Sequence, residues 1–154
     1  SCAVACPYEG TIEPQAVAEV TRLLLDIGCY EISLGDTIGA GRPQSIGAML
    51  DAVIEVTEPN KLAGHFHDTG DHALENIEVS LGKGIRTFDS AIGGLGGCPY
   101  APGAKGNVST LKVVDLLHQA GFETGVDIGA LRKIETFVSE ILTTAKHDTT
   151  QKPN

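Results

Sequence analysis

Tyr30-Glu31-Ile32-Ser33-Leu34-Gly35-Asp36-Thr37 is the stretch on which the fold turns. A short apolar run ends in a carboxylate followed by a hydroxyl. The same ending recurs at Asp68-Thr69 after Leu62–His67, and at Asp89-Ser90 within Ile85–Ile92. Each run has the length of a strand, and residues 1–6 make a fourth. Between the runs lie stretches of helical period. One opens at Glu13-Pro14 with apolar Val17, Val20, Leu24 and Ile27 and closes at Gly28; Pro suits a first helical turn and Gly the position past a helix end. Further helices are expected over Pro43–Val56, His72–Leu81, Ser109–Ala120 and Ile128–Ala145.

Strands alternating with helices imply a parallel sheet with helical crossovers. The recurring ending points to a repeated βα unit, as in a (β/α)8 TIM barrel. A complete barrel takes roughly 250 residues, so about four strands make half of one. In such barrels chemistry gathers where strands run into loops, and the notable residues here lie there. The chain opens at Ser1-Cys2-Ala3-Val4-Ala5-Cys6, without Met and as if within a strand, which reads as a piece of a longer protein. Residues 1–145 are expected to form the half-barrel, and 146–154 a loose polar tail.

The chain has 154 residues, 42% of them hydrophobic and 20% charged, enough apolar material for a core. Its net charge of −9 repels phosphates and anionic membranes, so neither nucleic acid nor membrane is an expected partner. Neither a signal peptide nor a long apolar span is recognisable, and a soluble interior compartment is the expectation. Cys2, Cys6, Cys29 and Cys98 lack the spacing of a disulfide scaffold or a zinc knuckle, so reduced thiols are expected.

Three constellations could carry chemistry. In Gly64-His65-Phe66-His67-Asp68 the two histidines are two apart on a strand. Both imidazoles therefore share a face, with Phe66 opposite, and can hold a divalent cation; interior hydrogen-bonded histidines are the alternative. In Gly93-Gly94-Leu95-Gly96-Gly97-Cys98-Pro99-Tyr100, continuing to Asn107, four glycines precede a thiol. Such a loop can close over a ligand and bring Cys98 in as a proton donor or acceptor. Asn107 could give a carbonyl oxygen to a metal or cap the next helix. Asp36 could bind metal indirectly, position a substrate or cap a helix, and the same capping role is open to Asp68 and Asp89.

Ser90-Ala91-Ile92-Gly93-Gly94-Leu95-Gly96-Gly97-Cys98-Pro99-Tyr100 resembles the signature of 3-hydroxy-3-methylglutaryl-CoA lyases. The likeness extends through Cys6-Pro7-Tyr8-Glu9-Gly10, through Gly28–Gly39 and through His65-Phe66-His67-Asp68-Thr69, in the family's order over roughly residues 1–145. The resemblance implies a metal-dependent carbon–carbon lyase in a TIM barrel, splitting 3-hydroxy-3-methylglutaryl-CoA into acetyl-CoA and acetoacetate, as in leucine degradation and ketone-body formation. It implies that His65, His67 and Asn107 ligate magnesium or manganese, that Cys98 transfers a proton, and that Asp36 is needed for activity. It also places Thr37 and Gly97 at an acyl-CoA substrate, in a possible homo-oligomer of bacterial cytoplasm or mitochondrial matrix.

Gly70-Asp71 replaces the family's usual Tyr-Gly, and Lys105 stands where a small residue is common. The Arg-Asp-Gly stretch that supplies the family's other metal ligand and catalytic Arg is absent from the chain. Two other readings stay open. One is a related isopropylmalate or homocitrate synthase or 4-hydroxy-2-oxoacid aldolase, against which the Gly-Gly-Cys-Pro-Tyr loop argues. The other is a non-catalytic half-barrel, inactive by itself.

Overall fold

A computed structural model describes residues 1–97 and 106–150. The first expected strand is not a member of the parallel sheet. Ala3 donates one backbone hydrogen bond to Gly35 O (2.8 Å), but Cys2 has φ +56°, outside extended geometry. The chain then turns away, and Ala5–Cys6 (β1) pairs antiparallel with Gly10–Thr11 (β2). The expected four parallel strands are therefore three among the described residues.

Pro14–Asp26 (α1) begins with Pro at its first turn and ends before Gly28, whose φ of +96° only glycine adopts without strain. Its buried residues are Ala18 and Thr21, with Val17, Leu24 and Leu25 packed beside them. Val20 and Ile27, expected on the apolar face, are exposed instead. The inward stripe is offset from the one the pattern marks, because the neighbouring α2 sets which side faces the core.

Ile32–Asp36 (β3) is followed by Pro43–Ile54 (α2), Leu62–Phe66 (β4), Ala73–Gly82 (α3) and Thr87–Asp89 (β5). The strands lie side by side, all parallel, in the order β3-β4-β5. The last strand is shorter than expected because its pairing with β4 covers only Ala63↔Thr87 to His65↔Asp89. Beyond it Ala91 bridges Ser109, and Ile92–Gly94 makes a 3-10 turn. Thr110–Gln119 (α4) and Ile128–Thr150 (α5) complete the order. Asp127 caps α5 by accepting the Gly129 and Ala130 N–H groups at 2.8 and 3.0 Å. This last helix runs five residues past the expected end at 145; residues 151–154 of the expected tail lie outside the described residues.

The two faces of the sheet differ, and the difference positions the site. Ile32, Leu34, Leu62 and Phe66 alternate onto the face covered by helices, where Ile46, Met49, Leu50, Val53 and Ile77 pack at 0–1% exposure. Burying each such side chain contributes about 1.5–3 kcal/mol. Gly64 lies in the same layer, where a Cβ would come 2.8 Å from Phe66 Cε2 and 3.0 Å from Phe88 Cδ1. The opposite face carries Ser33, Gly35, Ala63, His65, Thr87 and Asp89, and Ser33, Thr87 and Asp89 are exposed. A parallel sheet is normally covered on both faces. This one is covered on one, as a half of a (β/α)8 barrel is when its interior is open. Among the described residues no helix is long and apolar enough to cross a membrane.

Candidate metal centre

His65 and His67 share the uncovered face at the carboxyl end of β4, as their spacing predicts. Their ring centroids are 5.3 Å apart and the rings are tilted by 58°. Phe66 points the other way into the core at 2% exposure. His65 is half-buried, and its Nδ1 lies 3.1 Å from Asp89 Oδ2. The same carboxylate oxygen accepts the Ser33 hydroxyl at 3.1 Å.

His67 is 6% exposed, and its buried Nδ1 has no hydrogen-bond partner among the described residues. Burial pushes its pKa below the ordinary histidine value, nearby His65 pushes it further down, and Asp36 opposes them. A neutral imidazole with an unused ring nitrogen is a metal ligand's chemistry.

Asn107 reaches this pair through the backbone. Residues 106–108 run antiparallel beside the end of β4: Asp68 N–H donates to Gly106 O (3.0 Å), Val108 N–H donates to Phe66 O (3.2 Å), and His67 bridges Asn107. The segment lies so close to the start of the glycine loop that a Cβ on Gly106 would sit 2.2 Å from Gly94 O. Asn107 Nδ2 donates to Leu95 O at 3.0 Å and Gly96 O at 3.4 Å, so its side-chain oxygen is the atom with lone pairs for a cation. Ser109, not Asn107, stands at the N-cap of α4.

Asp36 is 1% exposed and holds a turn: Oδ1 accepts Ala40 N–H at 3.1 Å and Oδ2 accepts Gly41 N–H at 2.8 Å. Burial raises its pKa, while the Gly41 and Ala40 bonds and His67 oppose the rise. Of the three recurring aspartates, only Asp68 bonds the first turn of the helix that follows, accepting Ala73 N–H at 3.2 Å. Thr37 Oγ1 accepts Cys2 N–H at 3.1 Å, and Gly97 is exposed. Cys98 and Lys105 lie outside the described residues.

Two residues join the site that sequence reasoning did not single out for it. Asp89 is directly beside His65 in the parallel register, a pairing that parity along one strand cannot reveal. Glu135, on α5, accepts Ser109 Oγ at 3.1 Å and Gly93 N–H at 3.3 Å, and so ties the base of the glycine loop to the last helix. Among the described residues no group of three or more His, Cys, Asp or Glu side chains could hold a metal; the candidate donors here are two imidazoles and one amide oxygen.

The HMGL-like family model matches residues 1–138. The chain belongs to the HMGL-like family. A hydroxymethylglutaryl-CoA lyase of Pseudomonas mevalonii is 50% identical over 145 residues, covering 94% of this chain and 48% of that one. The crystal structure of an HMG-CoA lyase from Brucella melitensis superimposes with a TM-score of 0.88 at 58% identity, over 91% of this chain and 50% of that one. An HMG-CoA lyase from Acinetobacter baumannii, in complex with coenzyme A and 3-methylmalate, superimposes with a TM-score of 0.86 at 35% identity, over 92% and 46% of the two chains. This HMGL-like chain thus spans about half the length of these relatives.

Proposed function

We propose that the protein carrying this chain is a divalent-cation-assisted carbon–carbon lyase, cleaving 3-hydroxy-3-methylglutaryl-CoA to acetyl-CoA and acetoacetate in bacterial cytoplasm or the mitochondrial matrix. The observation that carries the reading is the buried, unpartnered Nδ1 of His67 beside His65 and Asn107 on one face. The relatives named as lyases support the substrate, and the relative in complex with coenzyme A supports an acyl-CoA.

His65, His67 and Asn107 would hold the magnesium or manganese that the family resemblance implies; these hard cations favour oxygen donors, which Asn107 supplies from this chain beside the two imidazoles. A bound cation supplies Lewis acidity, which lowers the pKa of a coordinated hydroxyl and orients the bond to be broken. The chain's own residues do the rest. His67 is held toward its neutral form, because burial disfavours the charged ring and nearby His65 adds to that. Asp36 fixes the Ala40-Gly41 turn beside the strand end, with Thr37 and Gly97 toward the substrate. In cleavage the tertiary hydroxyl gives its proton to water, the oxygen becomes the ketone of acetoacetate as the carbon–carbon bond breaks, and the bonding pair leaves on the enolate carbon of acetyl-CoA. Cys98, on the glycine loop, returns a proton to that carbon.

The test is acetoacetate release by the full-length protein, metal-free and with added Mg2+ or Mn2+. Turnover should require the ion and be lost in His65→Ala and His67→Ala. Full turnover in chelator, or with both histidines replaced, overturns the reading.

A further inference from the structure

A neutral imidazole carries its single proton on one nitrogen and binds a cation through the other, and the partner of the protonated nitrogen decides which. His67 has no such partner at its buried Nδ1, whereas His65 has one. We propose that Asp89, steadied by Ser33, is a positioning residue that fixes His65 as the Nδ1–H tautomer and leaves Nε2 to meet the cation. The inference rests on the cation reading above.

Three neighbouring strands each give one side chain: Ser33 from β3, His65 from β4 and Asp89 from β5. A carboxylate only accepts, so the nitrogen 3.1 Å from Asp89 Oδ2 is the one that carries the proton. The Ser33 hydroxyl, donating to the same oxygen at 3.1 Å, holds the carboxylate from the far side of the row. On the other edge of the ring the β3 neighbour leaves space. Gly35 is the register partner of His65 on β3, and even an added Cβ there would stand 3.8 Å from His65 Cδ2. Nε2 is bonded to Cδ2 and is the ring nitrogen farther from the backbone, so the edge left open is the one a ligand needs. Asp89 also brings a negative charge beside the candidate donors, which favours a cation.

The experiment uses the full-length protein labelled with 15N histidine. Side-chain 15N spectra read the tautomer of His65, and electron paramagnetic resonance of free Mn2+ reads cation binding. The metal-free wild type should show His65 protonated at Nδ1. In Asp89→Ala the proton should redistribute toward Nε2, and the Mn2+ dissociation constant should rise about 10–100-fold. The pattern of His67 should stay as it was. Asp89→Asn, which keeps an acceptor without the charge, should fall between the two, and it carries the measurement if the alanine variant fails to fold. An unchanged His65 tautomer and unchanged Mn2+ affinity in Asp89→Ala, with binding still lost in His65→Ala, overturns the inference and leaves the cation reading standing. Wild-type Mn2+ affinity in both His65→Ala and His67→Ala brings down both.

Discussion

His67 combines 6% exposure with a ring nitrogen that has no hydrogen-bond partner, and an unsatisfied buried polar atom costs about 1–3 kcal/mol. On the proposed cation reading His67 bears that cost for a ligand, and this sets a sign. In chelator, His67→Leu should unfold in urea at the wild-type concentration or slightly above it, because an apolar side chain removes the penalty. With Mn2+ at 100 times its dissociation constant the wild type should gain about 2.7 kcal/mol over the metal-free form, while His67→Leu gains little. A large loss of stability in metal-free His67→Leu would instead mark the imidazole as part of the core. Asp36 carries the opposite expectation. Its carboxylate satisfies two backbone N–H groups, so Asp36→Ala should cost about 1–3 kcal/mol for each one left buried and unmet, read by the same unfolding curves. Cys98→Ser should lower kcat by about 10²–10⁴-fold with unchanged stability, since a less acidic hydroxyl replaces the proton donor. Near-wild-type turnover would remove Cys98 from the chemistry.

At the scale of elements, the site depends on close backbone approach. Segment 106–108 can lie against β4 and the start of the loop only because residue 106 has no side chain. Gly106→Ala should therefore destabilise by about 1–3 kcal/mol through overpacking. It should also weaken Mn2+ binding, since Asn107 moves with the segment. Gly64→Ala should cost a similar amount by forcing Phe66 and Phe88 apart, yet leave Asn107 in place. Gly82, the last residue of α3, has open space and an ordinary φ, so Gly82→Ala should stabilise by about 0.4–1 kcal/mol. Melting temperatures and Mn2+ titrations of the three variants separate packing from ligation. A Gly106→Ala protein with wild-type values in both would mean that the segment is not held where the structure places it.

Seen as a whole, the molecule has helices on one side of a three-stranded sheet and polar residues open on the other. Among the described residues β3 and β5 each pair in the sheet with β4 alone, and the outer edge of β3 takes only the Ala3 bond to Gly35 O. Exposed edges are templates for pairing with another chain. The 154-residue chain expressed alone should therefore associate, with sedimentation faster than a 16.1 kDa monomer, and should release no acetoacetate. Metal-dependent turnover by a monomeric preparation of this chain, above a Cys98→Ala control, would show that its own donors suffice.

Several features were settled by the sequence because their causes are local. Alternation along Leu62–Phe66 fixes which side chains share a face, so the common side of His65 and His67 and the opposite side of Phe66 were legible before any fold was known. Pro14, Gly28 and Pro43 bound helices through their own backbone preferences. The recurring strand ending gave the βα repeat. Tertiary structure decided whatever depends on register or on a distant neighbour. The same Asp ending has three outcomes: Asp36 closes a turn, Asp68 meets a helix, and Asp89 faces a histidine on the next strand. Residues 1–6 have strand composition, but a strand is made by a continuous partner, and only Ala3 finds a ladder bond to β3. The buried nitrogen of His67 was invisible for the same reason. Whether a polar atom is satisfied depends on every group that the fold brings near it, and no run of adjacent residues states that.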